Sequence, residues 1–305
     1  MEKLGMEDES NWSTFCNHLK MISFKDLPAS YKSAIWHIHP SEFIAIFREC
    51  RWLCKKELQN VYPDKMYNRR ETPDPEACRQ RYRIHLNRAM RKYFINTAAR
   101  QSHFLGQGAV ESYFLARMIE SSVDPSRNPL HASLQSEIAG YYASSNDHYF
   151  DRYEYILGNS QSGDGIKFRG RGLKQLTALE NYSKYWVYRA WIAKDSFQTP
   201  WWIDSMSQTP AYKDRSKVSP IIPDPQKLSV DEWSCIDAGA WYWEAGAASA
   251  KFTSINKIIE EGDFSHQAIF EVSKSINGLN RSTHQPNGIA DRISQTQRIS
   301  LVLSD

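Results

Sequence analysis

The stretch GDGIKFRGRGLKQLTALENY, residues 163 to 182, constrains this chain more than any other part of it. Its glycines permit tight turns and close backbone approach that a Cβ would forbid. The apolar and polar spacing that follows predicts a helix from Leu173 to Ile192, which would present Gln175, Thr177 and Asn181. Few unrelated folds accommodate such a string.

Around it the chain reads as mainly helical. Residues 1–62 contain short helical patterns with apolar and aromatic anchors, and the Pro-containing stretch PDKMYNRRETPDP, residues 63 to 75, has the composition of a linker or long loop. We therefore expect a small N-terminal helical module with its linker over 1–75 and a larger domain over 76–305. From Glu76 to Arg117 the apolar residues Phe94, Ala98, Leu105 and Ala109 recur at helical spacing with no proline between them, which predicts one long helix with Glu111 near its end. The polar stretch from Ser121 to Gly172 suggests loops and short strands forming a cleft wall. Helical patterns return at 230–242, 254–259 and 264–276, and 195–225 reads as a long ordered loop.

The formal charge of +3 over 305 residues is unevenly spread. Arg79, Arg81, Arg83, Arg88, Arg91, Lys92 and Arg100 fall in one stretch with no acidic residue before Glu111, a face that would attract polyanions if it were open. Five cysteines without a CxxC pair point to free thiols rather than a disulfide framework. His37 and His39 with Glu42 lack a further placed ligand, so no metal and no cofactor is expected. The acidic start MEKLGMEDESN is unlike an export signal, and no apolar run approaches the roughly 18 residues of a membrane span.

The string at 163–182 resembles the signature of family 19 glycoside hydrolases, the chitinases and phage endolysins of the lysozyme superfamily, in which an aromatic residue and GRG precede QLT and NY. Two further segments agree in order: HFLGQGAVES resembles the helix bearing the catalytic acid, and SINGL followed by GIADRIS resembles the C-terminal asparagine and arginine elements. The resemblance spans about Arg100 to Arg298, with an insertion between Tyr185 and about Pro220. It implies a lysozyme-like fold, mainly α with minimal sheet, that hydrolyses a cell-wall glycan. The segment LPASYKSAIWHIHPSEFIAIFRECRWLCKKEL resembles the part that precedes such domains in type VI secretion effectors. That implies delivery by an injection machine into a rival cell's periplasm, with a secretion carrier and an immunity protein as further partners.

Cleaving a glycosidic bond takes one carboxylic acid to protonate the leaving oxygen and a second carboxylate to activate water or attack the sugar. Glu111 is the expected acid, since Gly108, Gln107 and Phe104 would give it small and apolar surroundings that favour the protonated form. The resemblance carries the general base to Glu120, with Glu137, Asp164 and Asp147 as substitutes. An unbroken helix would separate Glu111 and Glu120 by about 13.5 Å and turn them to opposite faces, whereas inverting carboxylates stand roughly 6.5–9.5 Å apart. The helix must therefore end before Glu120. The family usually has glycines just after its acid, where this chain has Tyr113 and Phe114, and often a histidine at the position of Val110. Gln175, Thr177, Asn181 and Tyr182 are expected to bind substrate, as are Asn277 and Arg292, the latter orienting a carboxylate.

The expected function is hydrolysis of β-1,4 bonds in peptidoglycan glycan strands by an inverting mechanism. The alternatives are a chitinase, or a non-catalytic wall or polyanion binder working through the basic stretch. Neither nucleic acid nor membrane insertion is expected.

Overall fold

A computed structural model describes residues 13–14, 16–17, 51–68, 74–121, 137, 148–202, 216–246, 254–280 and 282–304 of the chain. The His37, His39 and Glu42 group and Asp147 lie outside the described residues.

The described chain is mainly α-helical, as expected. Its helices are α1 (Lys55–Val61), α2 (Pro75–Lys92), α3 (Ala98–Glu111), α4 (Asp164–Lys167), α5 (Leu179–Tyr188), α6 (Lys227–Val230), α7 (Glu232–Trp241), α8 (His266–Asn277) and α9 (Ile289–Leu303). No described residue lies in a regular strand, and the extended pairing near the glycine-rich string consists of isolated bridges, Ile119 with Arg171 and Arg171 with Leu176.

The single helix expected from 76 to 117 is in fact two. Asp74 caps α2 by accepting from the Ala77 N–H, and Pro75 takes the first helical position, where its missing donor costs nothing. The helix stops at Tyr93, Phe94 turns left-handed at φ 55, and Thr97 caps α3 through the Arg100 N–H. Apolar spacing continues across this break because both helices bury a face in the same core, so periodicity alone does not reveal it.

Helix α3 forms the centre of the molecule. Its own residues from Ala99 to Ala109 are buried apart from Arg100, and its most extensive packing is against α9. Gly106 makes that approach possible: a Cβ there would stand 2.7 Å from Thr296 Cα, inside van der Waals contact with a backbone atom. Helix α7 covers α2, and α8 packs on both α9 and α3. Leu53, Leu58, Val61, Tyr62 and Tyr67, from the part assigned above to the N-terminal module and linker, lie in the same hydrophobic cluster as the rest of the chain. The Tyr62 hydroxyl donates to the Leu105 carbonyl of α3 at 2.7 Å.

The basic stretch is not an open cationic face. Arg79 is buried, donating to the Tyr62 carbonyl and pairing with Asp64 and Glu76, while Arg81 pairs with Glu232 and Lys92 with the buried Asp237. Arg88 and Arg91 stay exposed. The cysteines described, Cys16, Cys54, Cys78 and Cys235, are free thiols, and only the last two are buried. Of the inserted aromatics, Tyr185, Trp186 and Trp201 are core residues, whereas Tyr188 is exposed.

Candidate active site

Glu111 is the last residue of α3, and the chain reverses immediately after it. Tyr113, Phe114 and Leu115 all take left-handed backbone conformations, at φ 47, 57 and 74. At Tyr113 and Phe114 the resembled family usually has glycines, and the conformation costs a non-glycine residue about 1–2 kcal/mol. Packing and hydrogen bonds offset it. The Phe114 ring is buried edge-on to Tyr62, the Tyr67 hydroxyl donates to the Phe114 carbonyl at 2.7 Å, and Arg117 lies 4.1 Å from the Tyr113 ring centre. The Ser112 hydroxyl donates to the Gly108 carbonyl and accepts from the Leu115 N–H, closing the helix end.

The returning chain runs antiparallel to a tight hairpin made by the glycine-rich string. Arg171 and Leu176 exchange backbone hydrogen bonds across the hairpin, Glu120 N–H donates to the Gly170 carbonyl, and Gly172 N–H donates to the Met118 carbonyl. The string thus forms a hairpin where a helix was expected, and α5 begins only at Leu179. Gln175 sits in the turn at φ 51, a conformation in which a regular helix cannot continue.

This pairing seats Glu120 against Gly170. Glu120 Oε2 accepts from the Gly170 N–H at 2.9 Å, and Oε1 accepts from the Tyr153 hydroxyl at 2.8 Å and from Arg152 Nη2 at 3.1 Å. A Cβ at Gly170 would stand 3.0 Å from Glu120 Oε2 and 2.8 Å from Gln175 Oε1, so glycine leaves room for both side-chain ends at this backbone. Arg152 and Tyr153 come from a 3₁₀ segment, His148–Tyr153. No periodic signal in the sequence marks that segment.

Glu111 does not have the apolar surroundings expected for it. Its Oε1 accepts from Arg292 Nη2 at 2.6 Å, and the two side chains are 10% and 2% exposed. Arg292 is itself held from two other directions, by Gln107 Oε1 at 2.6 Å and by the Asn287 carbonyl at 2.8 Å. Gln107 donates in turn to the Ser273 hydroxyl of α8. Asn277, at the end of α8, accepts from the Asn287 N–H at 3.1 Å. The two C-terminal elements singled out separately in the sequence are therefore links of one chain, from Asn277 through Asn287 and Arg292 to Glu111. Gln107 was visible only as the residue one helical turn before Glu111.

Lys174, passed over in the sequence, is buried beside this pair. Its ammonium donates to the Phe104 carbonyl at 2.6 Å and lies against the Phe104 and Trp243 rings. Burial holds the Lys174 amine well below the ordinary lysine range, an effect that Glu111 opposes and Arg292 reinforces. The lysine stem passes α7 at Gly239, where a Cβ would stand 2.9 Å from Lys174 Cγ.

Among the residues expected to bind substrate, Thr177 donates to the Gln175 carbonyl at 2.8 Å and Asn181 to the Thr177 carbonyl at 2.9 Å. Gln175 Nε2 donates to the Gly172 carbonyl at 3.0 Å. These donors pin the hairpin to the start of α5. Tyr182 requires correction: it is fully buried, donating to the Arg169 carbonyl and accepting from Arg171, with burial pushing its hydroxyl up to about 12. A side chain without exposed surface cannot touch a polymer.

Two proposed substitutes for Glu120 also have other work. Glu137 is buried between Arg169 and Arg171 of the motif, which pair with its two oxygens. Asp164 accepts from the Ser160 and Gln161 N–H groups, which shapes the turn into α4. Among the described residues there is no cluster of metal-ligating side chains, and no helix is long and apolar enough to cross a membrane.

The arrangement is thus a helical scaffold with two carboxylates bordering one hairpin, a class of site suited to acid and base work on a polar substrate. No family model matches the chain, and no curated protein matches it. Among solved structures it is similar to chitinase C from Streptomyces griseus HUT6037, at 16% identity over 82% of this chain and 92% of that one, with a TM-score of 0.45. A bacterial family 19 chitinase is similar at 17% identity, over 82% and 94% of the two chains, with a TM-score of 0.42.

Proposed function

We propose that this chain is a glycoside hydrolase that cleaves the β-1,4 bonds of peptidoglycan glycan strands, with Glu111 as general acid and Glu120 as general base. The observation that carries this reading is that both carboxylates border the hairpin of the glycine-rich string. Glu120 is bonded to Gly170 at one end, and Leu173 at the tip packs against Gly108, one turn before Glu111. The roles follow from chemistry. Glu111 gives its proton to the glycosidic oxygen as the bond to the anomeric carbon breaks. Glu120 takes a proton from water, whose oxygen bonds to that carbon from the opposite face, inverting it. Arg292 holds the Glu111 carboxylate in place and stabilises the anion left after proton transfer.

The resemblance of the N-terminal segment to secretion effectors extends the proposal to an antibacterial protein that reaches the target periplasm by injection, with a carrier and an immunity protein as its partners.

Replacing Glu111 with Gln tests the core of the reading. The amide keeps an acceptor for Arg292, so the fold should persist, with thermal unfolding within a few degrees of the parent. Release of new reducing ends from purified sacculi should fall at least about a thousandfold, the scale of losing acid catalysis together with correct charge at the reacting oxygen. Full activity in the Glu111→Gln chain defeats the assignment. Mass spectrometry of the reducing-end sugar identifies the bond cut, and release of products from chitin oligomers instead of sacculi would move the substrate to chitin.

A further inference from the structure

Beside Glu120 lies a cation that the proposed acid–base chemistry does not require. The Arg152 guanidinium is half exposed. Its hydrogen bonds within the described residues all leave one nitrogen, Nη2, which serves Glu120 Oε1, the Tyr149 hydroxyl and the Tyr153 hydroxyl. The guanidinium carbon lies 3.9 Å from the Tyr149 ring centre and 4.8 Å from that of Tyr153, so two aromatic rings fix its plane. Nε and Nη1 make no hydrogen bond to a described residue. A guanidinium clamped on one side in this way keeps N–H donors on its other nitrogens, at the edge of the proposed base and partly in water.

Such donors suit a carboxylate. Chitin is an uncharged polymer and offers them only hydroxyls and amide oxygens. The glycan of peptidoglycan carries peptide stems that bear free carboxylates. We propose that Arg152 is a specificity-determining residue that recognises a carboxylate borne by the glycan and so favours the acidic, peptide-bearing polymer over neutral chitin. This rests on the reading of the cleft as a glycan site, and it adds which polymer the cleft prefers and by which side chain.

The test compares binding of two ligands to the Glu111→Gln chain by calorimetry: a soluble glycan–peptide fragment of peptidoglycan, and the same fragment with its carboxylates converted to methylamides. Amidation should weaken binding about two- to fivefold at low salt, the range for one partly exposed ion pair, and less at high salt. Adding Arg152→Met should abolish the difference between the fragments, while Arg152→Lys should keep part of it. Any disturbance of Glu120 by these substitutions affects both fragments alike and cancels in the ratio. Equal affinity of the Glu111→Gln chain for both fragments overturns the inference, as does a difference that survives Arg152→Met. Turnover is a separate measurement. If the unaltered chain releases no reducing ends yet binds the native fragment preferentially through Arg152, the hydrolase reading fails and this inference stands; if neither fragment binds, this inference falls, and the hydrolase reading falls with it only when no reducing ends are released either.

Discussion

Glu137 shows how a single side chain can take a role opposite to the one its residue type suggests. In the sequence it is one more carboxylate near a cleft. In the structure it is fully buried against Arg169 and Arg171 and near the Ser229 hydroxyl, so it is a structural charge. Burial pushes the Glu137 carboxyl up, but the two guanidinia outweigh burial and hold it below the ordinary carboxylate range. A group with a depressed folded pKa contributes stability that is present above its unfolded pKa and lost as pH falls through the folded one. Stability should therefore decline as pH drops below about 4.3, the unfolded value for Glu. The Glu137→Gln chain should show a flatter decline when urea unfolding is measured at a series of pH values. At neutral pH, Glu137→Ala should cost about 3–5 kcal/mol, because it leaves two buried guanidinia without their anion. A loss under about 1 kcal/mol would show that Glu137 is not the buried counter-charge of these two arginines.

At the scale of elements, the pairing of α3 with α9 sets the site. Helix α3 ends on Glu111 and α9 carries Arg292, so the ion pair at 2.6 Å depends on how closely the two axes approach at Gly106. Replacing Gly106 with Ala would gain helix propensity of up to about 1 kcal/mol, yet the added methyl meets the Thr296 backbone, which cannot rotate away. The clash wins, and we expect a net loss of about 1–3 kcal/mol by thermal unfolding. Activity should fall more than stability explains, since Arg292 moves with α9 while Glu111 does not. A Gly106→Ala chain with unchanged stability and turnover would contradict this packing.

Across the whole molecule, the linker-like composition of residues 63–75 and the packing of residues in and just before that stretch speak to different things. Composition reports on how a segment interacts with water, whereas Leu53, Leu58, Val61, Tyr62 and Tyr67 are buried against helices far along the chain. The Arg51 guanidinium also donates to the Leu303 carbonyl. Fully burying a large apolar side chain contributes about 1.5–3 kcal/mol, so five of them are comparable with the 5–15 kcal/mol that keeps a typical domain folded. A chain starting at residue 76 should accordingly be largely unfolded at room temperature by circular dichroism, whereas one starting at residue 50 should unfold cooperatively. Cooperative unfolding of the shorter chain near the temperature of the longer one would show that this first layer is dispensable.

Periodicity in the sequence determined the helical class, and the resemblance of three short segments to a known family marked Glu111, Glu120, Asn277 and Arg292 as residues to watch, because both are properties of local stretches of chain. The requirement that the helix end before Glu120 was also legible, from the rise of a helix alone. Only the tertiary structure decided that three non-glycine residues would take left-handed conformations after Glu111, since a strained turn persists only where neighbours such as Tyr62 and Tyr67 hold it. It alone decided that the string around Gln175 folds as a hairpin, that Tyr182 is core and that Arg152, Tyr153, Gln107 and Lys174 surround the two carboxylates. Those residues meet through contacts distant in sequence, and their energy comes from burial and charge pairing that no local pattern records.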